Sequence, residues 1–168
     1  MRVLTPVQRA QFESEGYVVV DGVLDPASDL APVFSEYQEV LDGIAEGLLR
    51  DDRIQSTYCA LAFAERLVRV CAESERNFFQ EFDISLQQTG IRHDTPIHHG
   101  PAVFQLLTAP RLLDLVENLI GPEIYSNPVQ HIRMKLPNRA VAKSTPYSGL
   151  VSGVPWHQDN GVILPRGR

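Results

Sequence analysis

Leu30, Val33, Phe34, Tyr37, Val40, Leu41 and Ile44 recur at spacings of three and four, and this stripe constrains the fold most. That period puts all seven on one side of an α-helix, so the chain must supply a core for a long amphipathic helix to cover. Asp25-Pro26 supplies the start, a capping acid followed by Pro at the first helical position. A shorter helix precedes it. Thr5-Pro6-Val7-Gln8 combines a cap, Pro and the Gln of a capping box, and Gly16 is placed to stop the helix. Val7, Ala10 and Phe12 form its apolar side. Further helices are expected over about 57–72, with Leu61, Ala64, Leu67, Val68 and Cys71 on one face, and over 77–88, with Phe78, Phe79, Phe82 and Leu86. Another is expected from Arg111 to Ile120, with Leu112, Leu113, Leu115, Val116 and Leu119 inside and Gly121-Pro122 as its stop. Gly47 is expected to fray the second helix, and Glu65 can pair with Arg69 one turn on.

Two stretches read differently. Tyr17-Val18-Val19-Val20 is a β-branched run and predicts a buried strand near 17–21. After Gly121 the pattern alternates: 123–136 and 154–164 read as strands, with a polar loop between them. The fold expected is therefore α+β, a single domain over 1–168. A mainly helical leader fills 1–120, and the first strands of a sheet structure occupy 121–168.

The excess of 21 acidic over 15 basic residues gives a net charge of −6, which disfavours a nucleic-acid partner. No apolar run is long enough to span a membrane, and Pro6, Gln8 and Arg9 interrupt any leader-like segment. Two cysteines, Cys59 and Cys71, form no disulfide framework, which points to a reducing, cytoplasmic setting. Both read as small buried hydrophobes.

The chemistry concentrates in Val154-Pro155-Trp156-His157-Gln158-Asp159-Asn160-Gly161. In extended backbone His157 and Asp159 project to the same side, as two neighbouring ligands of one metal must. An imidazole and a carboxylate are two-thirds of the facial triad of non-haem iron oxygenases. On spacing alone, a surface histidine beside an aspartate fits the same pattern. His93, His98 and His99 lie near Asp94 in a Gly- and Pro-containing segment, 90–101, and read as a polar or pocket-lining loop.

The 154–161 string resembles the metal-binding strand of the phytanoyl-CoA dioxygenase family. Three other segments resemble that family in the same order: Phe12 to Val20, Leu112 to Pro122, and His131-Ile132-Arg133-Met134-Lys135-Leu136-Pro137. The resemblance implies a double-stranded β-helix (jelly-roll, cupin-like) fold and an enzyme using Fe(II), O₂ and 2-oxoglutarate, with ascorbate as a candidate addition. It implies that a small organic substrate is hydroxylated while 2-oxoglutarate is decarboxylated to succinate and CO₂. By position, His157 and Asp159 would ligate iron, while Trp156 and Gln158 would support the strand and pocket wall. His131, Arg133 and Lys135 share one face by alternation and would line the cosubstrate pocket, with His131 the nearest match; a solvated sheet edge explains Arg133 and Lys135 equally well. The family also places a distal His and then an Arg downstream. The nine residues after Asp159 contain no His. The expectation is thus a chain truncated inside the barrel: a fragment, a true truncation or a pseudoenzyme, inactive alone and releasing no succinate. A non-catalytic binding module is the competing expectation.

Overall fold

The computed structural model describes residues 4–86, 90–127 and 130–137. Among them the regular structure is helical: α1 (Pro6–Glu15), α2 (Ala31–Arg50), α3 (Phe63–Ser74), α4 (Pro101–Leu107) and α5 (Pro110–Ile120). A π turn, Pro26–Leu30, leads into α2, and a 3₁₀ turn covers Gln80–Phe82. No helix among the described residues is long and apolar enough to cross a membrane.

Local chemistry explains the helix ends. The Thr5 hydroxyl accepts from the Gln8 amide at 3.2 Å, and the Gln8 side chain accepts from the Thr5 amide at 3.0 Å, so the capping box is complete. Gly16 closes α1 with φ 79°, a conformation that costs glycine little. Asp25 Oδ1 accepts from the Ala27 and Ser28 amides at 2.9 and 2.8 Å. Those bonds, led by Ser28, hold the Asp25 carboxyl below its usual value. Helix α3 starts later than its apolar pattern suggests and ends at Glu75, which takes a left-handed φ of 57°. Helix α2 runs through Gly47 to Arg50 without a break.

The chain divides into two compact units. The first comprises Met1–Ile44 and Gln80–Ile132. Tyr37, Leu41, Ile44, Phe82, Val103, Ala109 and Leu115 are buried in it. Helix α4 lies against the π turn, and the Arg9 guanidinium donates to the Asn118 carbonyl, tying α1 to α5. The second unit comprises Ala45–Phe79 and Arg133–Arg168. Leu48, Ile54, Leu67, Val70, Cys71, Phe79 and Leu136 are buried there. Arg66 is buried with them, and its Nε donates to the Thr57 carbonyl at 2.8 Å. Tyr58 donates to Glu73 Oε2 at 2.5 Å, and the Arg69 guanidinium lies over the Tyr58 ring.

The expected α+β double-stranded β-helix is overturned for the described residues, which contain no strand. Tyr17 and Val19, in the expected first strand, are 56% and 70% exposed. A β-branched run becomes a strand only when a neighbouring segment takes up its amides, and 17–20 has no such neighbour among the described residues. In the expected strand of 123–136, the Ile132 amide donates to a side chain, Asp83 Oδ1, rather than to a ladder. Tyr125 in the same segment is 83% exposed. The expected strand of 154–164 lies outside the described residues. Three smaller expectations also fail. Over its described part, 77–86, the expected helix contracts to the 3₁₀ turn, Cys59 is exposed where burial was expected, and α4 forms where no helix was foreseen.

Candidate functional site

The first unit places Glu36, Asp83 and His98 around Tyr37. This residue belongs to the apolar stripe of α2, and its ring is buried against Phe82 (centroids 5.7 Å apart) and His98 (4.7 Å). Its hydroxyl donates to the Phe82 carbonyl at 3.0 Å. Burial, then the negative charges of Glu36 and Asp83, push the Tyr37 phenol well above its ordinary range. It is therefore a neutral donor at any physiological pH.

Glu36, the residue before Tyr37, supplies the missing cap of α4. Gly100, the residue before that helix, has no side chain to offer. The Glu36 carboxylate instead accepts from the Ala102 amide at 2.7 Å and the Val103 amide at 3.3 Å. His98 Nε2 donates to the same carboxylate at 2.8 Å. A carboxylate from another helix thus fills the role that an N-cap side chain usually plays. Burial raises the Glu36 pKa, but the Ala102, His98 and Val103 donors outweigh it and the net shift is downward. A group of this kind stabilises the fold above its unfolded pKa and loses that effect as pH falls through the lower folded value. The stability difference between wild type and Glu36→Gln is therefore expected to be constant at neutral pH. It should close only below the ordinary glutamate value of 4.5. Urea unfolding of both proteins across that range, followed by circular dichroism, checks this.

A groove of about 980 Å³ runs beside this cap, between one face of α2 (Pro32, Glu36, Glu39, Val40) and the segment from Pro96 to Pro101. His98 and His99 line it, as a pocket-lining loop would. His99 Nδ1 donates to the Ile97 carbonyl at 3.0 Å, and Arg92 is paired with Asp94 through two exposed hydrogen bonds at 3.1 and 3.0 Å. Neither arrangement brings three metal-ligating side chains together, and no such group occurs among the described residues.

A second imidazole–carboxylate pair joins Asp83 and His131. His131 Nδ1 donates to Asp83 Oδ2 at 2.8 Å, and the side chains are 26% and 6% exposed respectively. His131 thus has a fixed partner. Arg133 and Lys135, in the second unit, are exposed, while Met134 between them is partly covered and Leu136 is buried. Trp156, His157, Gln158 and Asp159 lie outside the described residues. Cys71 is buried, and burial raises its thiol to about 12 despite the opposing pull of Arg76, so it is not a nucleophile at neutral pH.

Sequence reasoning passed over Glu36 and Asp83. For Glu36 a signal existed: it stands three residues after Val33 and four before Val40, so an acid borders the buried stripe. For Asp83 the only cue was an acid next to Phe82 in an aromatic cluster.

Comparison of the chain with family models, with curated proteins and with solved structures returns no match.

Proposed function

We propose that the chain contributes metal- and cosubstrate-binding residues to an Fe(II)/2-oxoglutarate-dependent oxygenase that hydroxylates a small organic substrate. The observation that carries this reading is the His157-Gln158-Asp159 spacing within Val154–Gly161, an imidazole and a carboxylate two residues apart. That donor set suits a divalent iron with positions left open for other ligands. The described residues that fit 2-oxoglutarate are His131, with one ring nitrogen available, and the exposed cations Arg133 and Lys135. An acid with two carboxylates calls for such N–H donors, and Arg offers them as a planar fork.

In this reading His157 and Asp159 hold the metal, and Trp156 and Gln158 flank them. The bound iron would supply the oxidising chemistry that couples cosubstrate decarboxylation to hydroxylation. The chain's own residues bind and orient: His131 offers a ring N–H, and Arg133 and Lys135, two and four residues further along the chain, each offer positive charge to a cosubstrate carboxylate. The substrate class goes no further than a small organic molecule, with neither nucleic acid nor membrane as partner.

The test is Co(II) affinity of the wild-type chain and of His157→Ala by calorimetry. Loss of one of two protein ligands is expected to weaken binding by about tenfold or more. Equal affinity in the two proteins overturns the reading of this strand.

A further inference from the structure

One buried carboxylate holds two consecutive residues 48 and 49 positions further along the chain. Asp83 Oδ2 accepts from the His131 ring at 2.8 Å and Oδ1 accepts from the Ile132 amide at 3.2 Å. The amide bond fixes the backbone beside His131, and the ring bond fixes the imidazole on that backbone. Asp83 is itself anchored. Its carbonyl accepts from the His98 amide at 2.7 Å, and the preceding carbonyl, of Phe82, accepts from the Tyr37 hydroxyl at 3.0 Å. The Ser85 amide adds a weak third bond to Oδ1 at 3.4 Å.

The consequence for His131 follows from imidazole chemistry. A carboxylate can only accept, so Nδ1 carries the proton facing it. In the neutral ring Nε2 is then left with a lone pair. In the imidazolium Nε2 carries a second proton and becomes a donor. Either way Nδ1 is committed and Nε2 is the nitrogen left for other partners. The partly exposed His131 side chain and the buried Asp83 side chain fit that division, with the outward group meeting ligand and the inward one holding it.

We infer that Asp83 is a positioning residue: by engaging His131 Nδ1 it fixes the ring's tautomer and presents Nε2 as its sole ligand-facing nitrogen. The inference rests on the proposed oxygenase reading only for the identity of that ligand, a 2-oxo dicarboxylic acid. A carboxylate oxygen of this acid would take its hydrogen bond from Nε2–H of the charged ring.

Long-range ¹H–¹⁵N spectra of the full chain test the inference, with His131→Gln identifying the His131 signals. In the neutral ring of the wild type the proton is expected on Nδ1, with Nε2 bare. Asp83→Asn is expected to populate both tautomers. Titration with 2-oxoglutarate should move the Nε2 shift and leave Nδ1 unmoved, and the apparent Kd should rise about tenfold in Asp83→Asn. A neutral wild-type ring protonated on Nε2 with Nδ1 bare, or an unchanged tautomer in Asp83→Asn, overturns the inference. If Asp83→Asn does not fold, the wild-type tautomer decides alone. A ring in the expected tautomer that ignores 2-oxoglutarate upholds the role of Asp83 and removes His131 from the proposed cosubstrate site.

Discussion

Gly100→Ala is expected to destabilise the first unit by about 2 kcal/mol, and to do so only while Glu36 is present. Gly100 has φ −70° and ψ 150°, values that alanine adopts freely. Its glycine is required by proximity: a Cβ there would meet the Glu36 carboxyl group inside van der Waals distance. A free glutamate would swing aside at little cost. This one is held by the Ala102 and Val103 amides and by His98, so moving it leaves the start of α4 uncapped and His98 without its acceptor. Hydrogen bonds to a charged group are worth about 1.5–3 kcal/mol, and their loss here is shared among three donors. Glu36→Ala alone should cost about as much. In the Glu36→Ala background the sign reverses: Gly100→Ala has nothing left to displace, and reducing the unfolded chain's freedom stabilises by about 0.4–1 kcal/mol. Urea unfolding of the four proteins measures the coupling between the two sites. Additive effects would show that the carboxylate does not cap α4.

That carboxylate shows where sequence reading stops. Helix starts were legible because they are written in adjacent residues: Thr5-Pro6-Val7-Gln8 and Asp25-Pro26 carry their own caps, and α1 and the π turn that leads into α2 begin there. Helix α5 was legible at both ends: it is expected from Arg111 to Ile120 and runs from Pro110 to Ile120, with Gly121 as its stop. Helix α4 was not, because its cap comes from 66 residues away, and a short segment capped from a distance leaves no local trace. The strand expected at 17–20 shows the converse. Its β-branched residues state a preference that only a partner segment can satisfy, and among the described residues none does. Candidate site residues divide the same way. The His-x-Asp spacing is local and readable, whereas the Asp83–His131 and Glu36–His98 pairs join residues 48 and 62 positions apart.

Phe82→Ala carries the largest expected loss, about 3–5 kcal/mol. The ring is 2% exposed. It packs at 5.7 Å from Tyr37, so its removal leaves a cavity beside a second buried aromatic. Phe104, 67% exposed in the same unit, is the control, and Phe104→Ala should stay within about 0.5 kcal/mol of wild type. The effect of Phe82→Ala should also reach His131. The Phe82 carbonyl takes the Tyr37 hydroxyl, and the next residue is the carboxylate that holds the His131 ring. Loosening the 3₁₀ turn at Gln80–Phe82 therefore frees Asp83. Even at low denaturant, where the variant remains folded, the tautomer balance at His131 is expected to move toward that of Asp83→Asn. Tyr37→Phe separates the contributions: it keeps the packing and removes one hydrogen bond, at a cost of about 1–2 kcal/mol. If Phe82→Ala costs no more than Tyr37→Phe, the aromatic packing around Tyr37 is not what organises this unit, and the hydrogen-bond network alone positions Asp83.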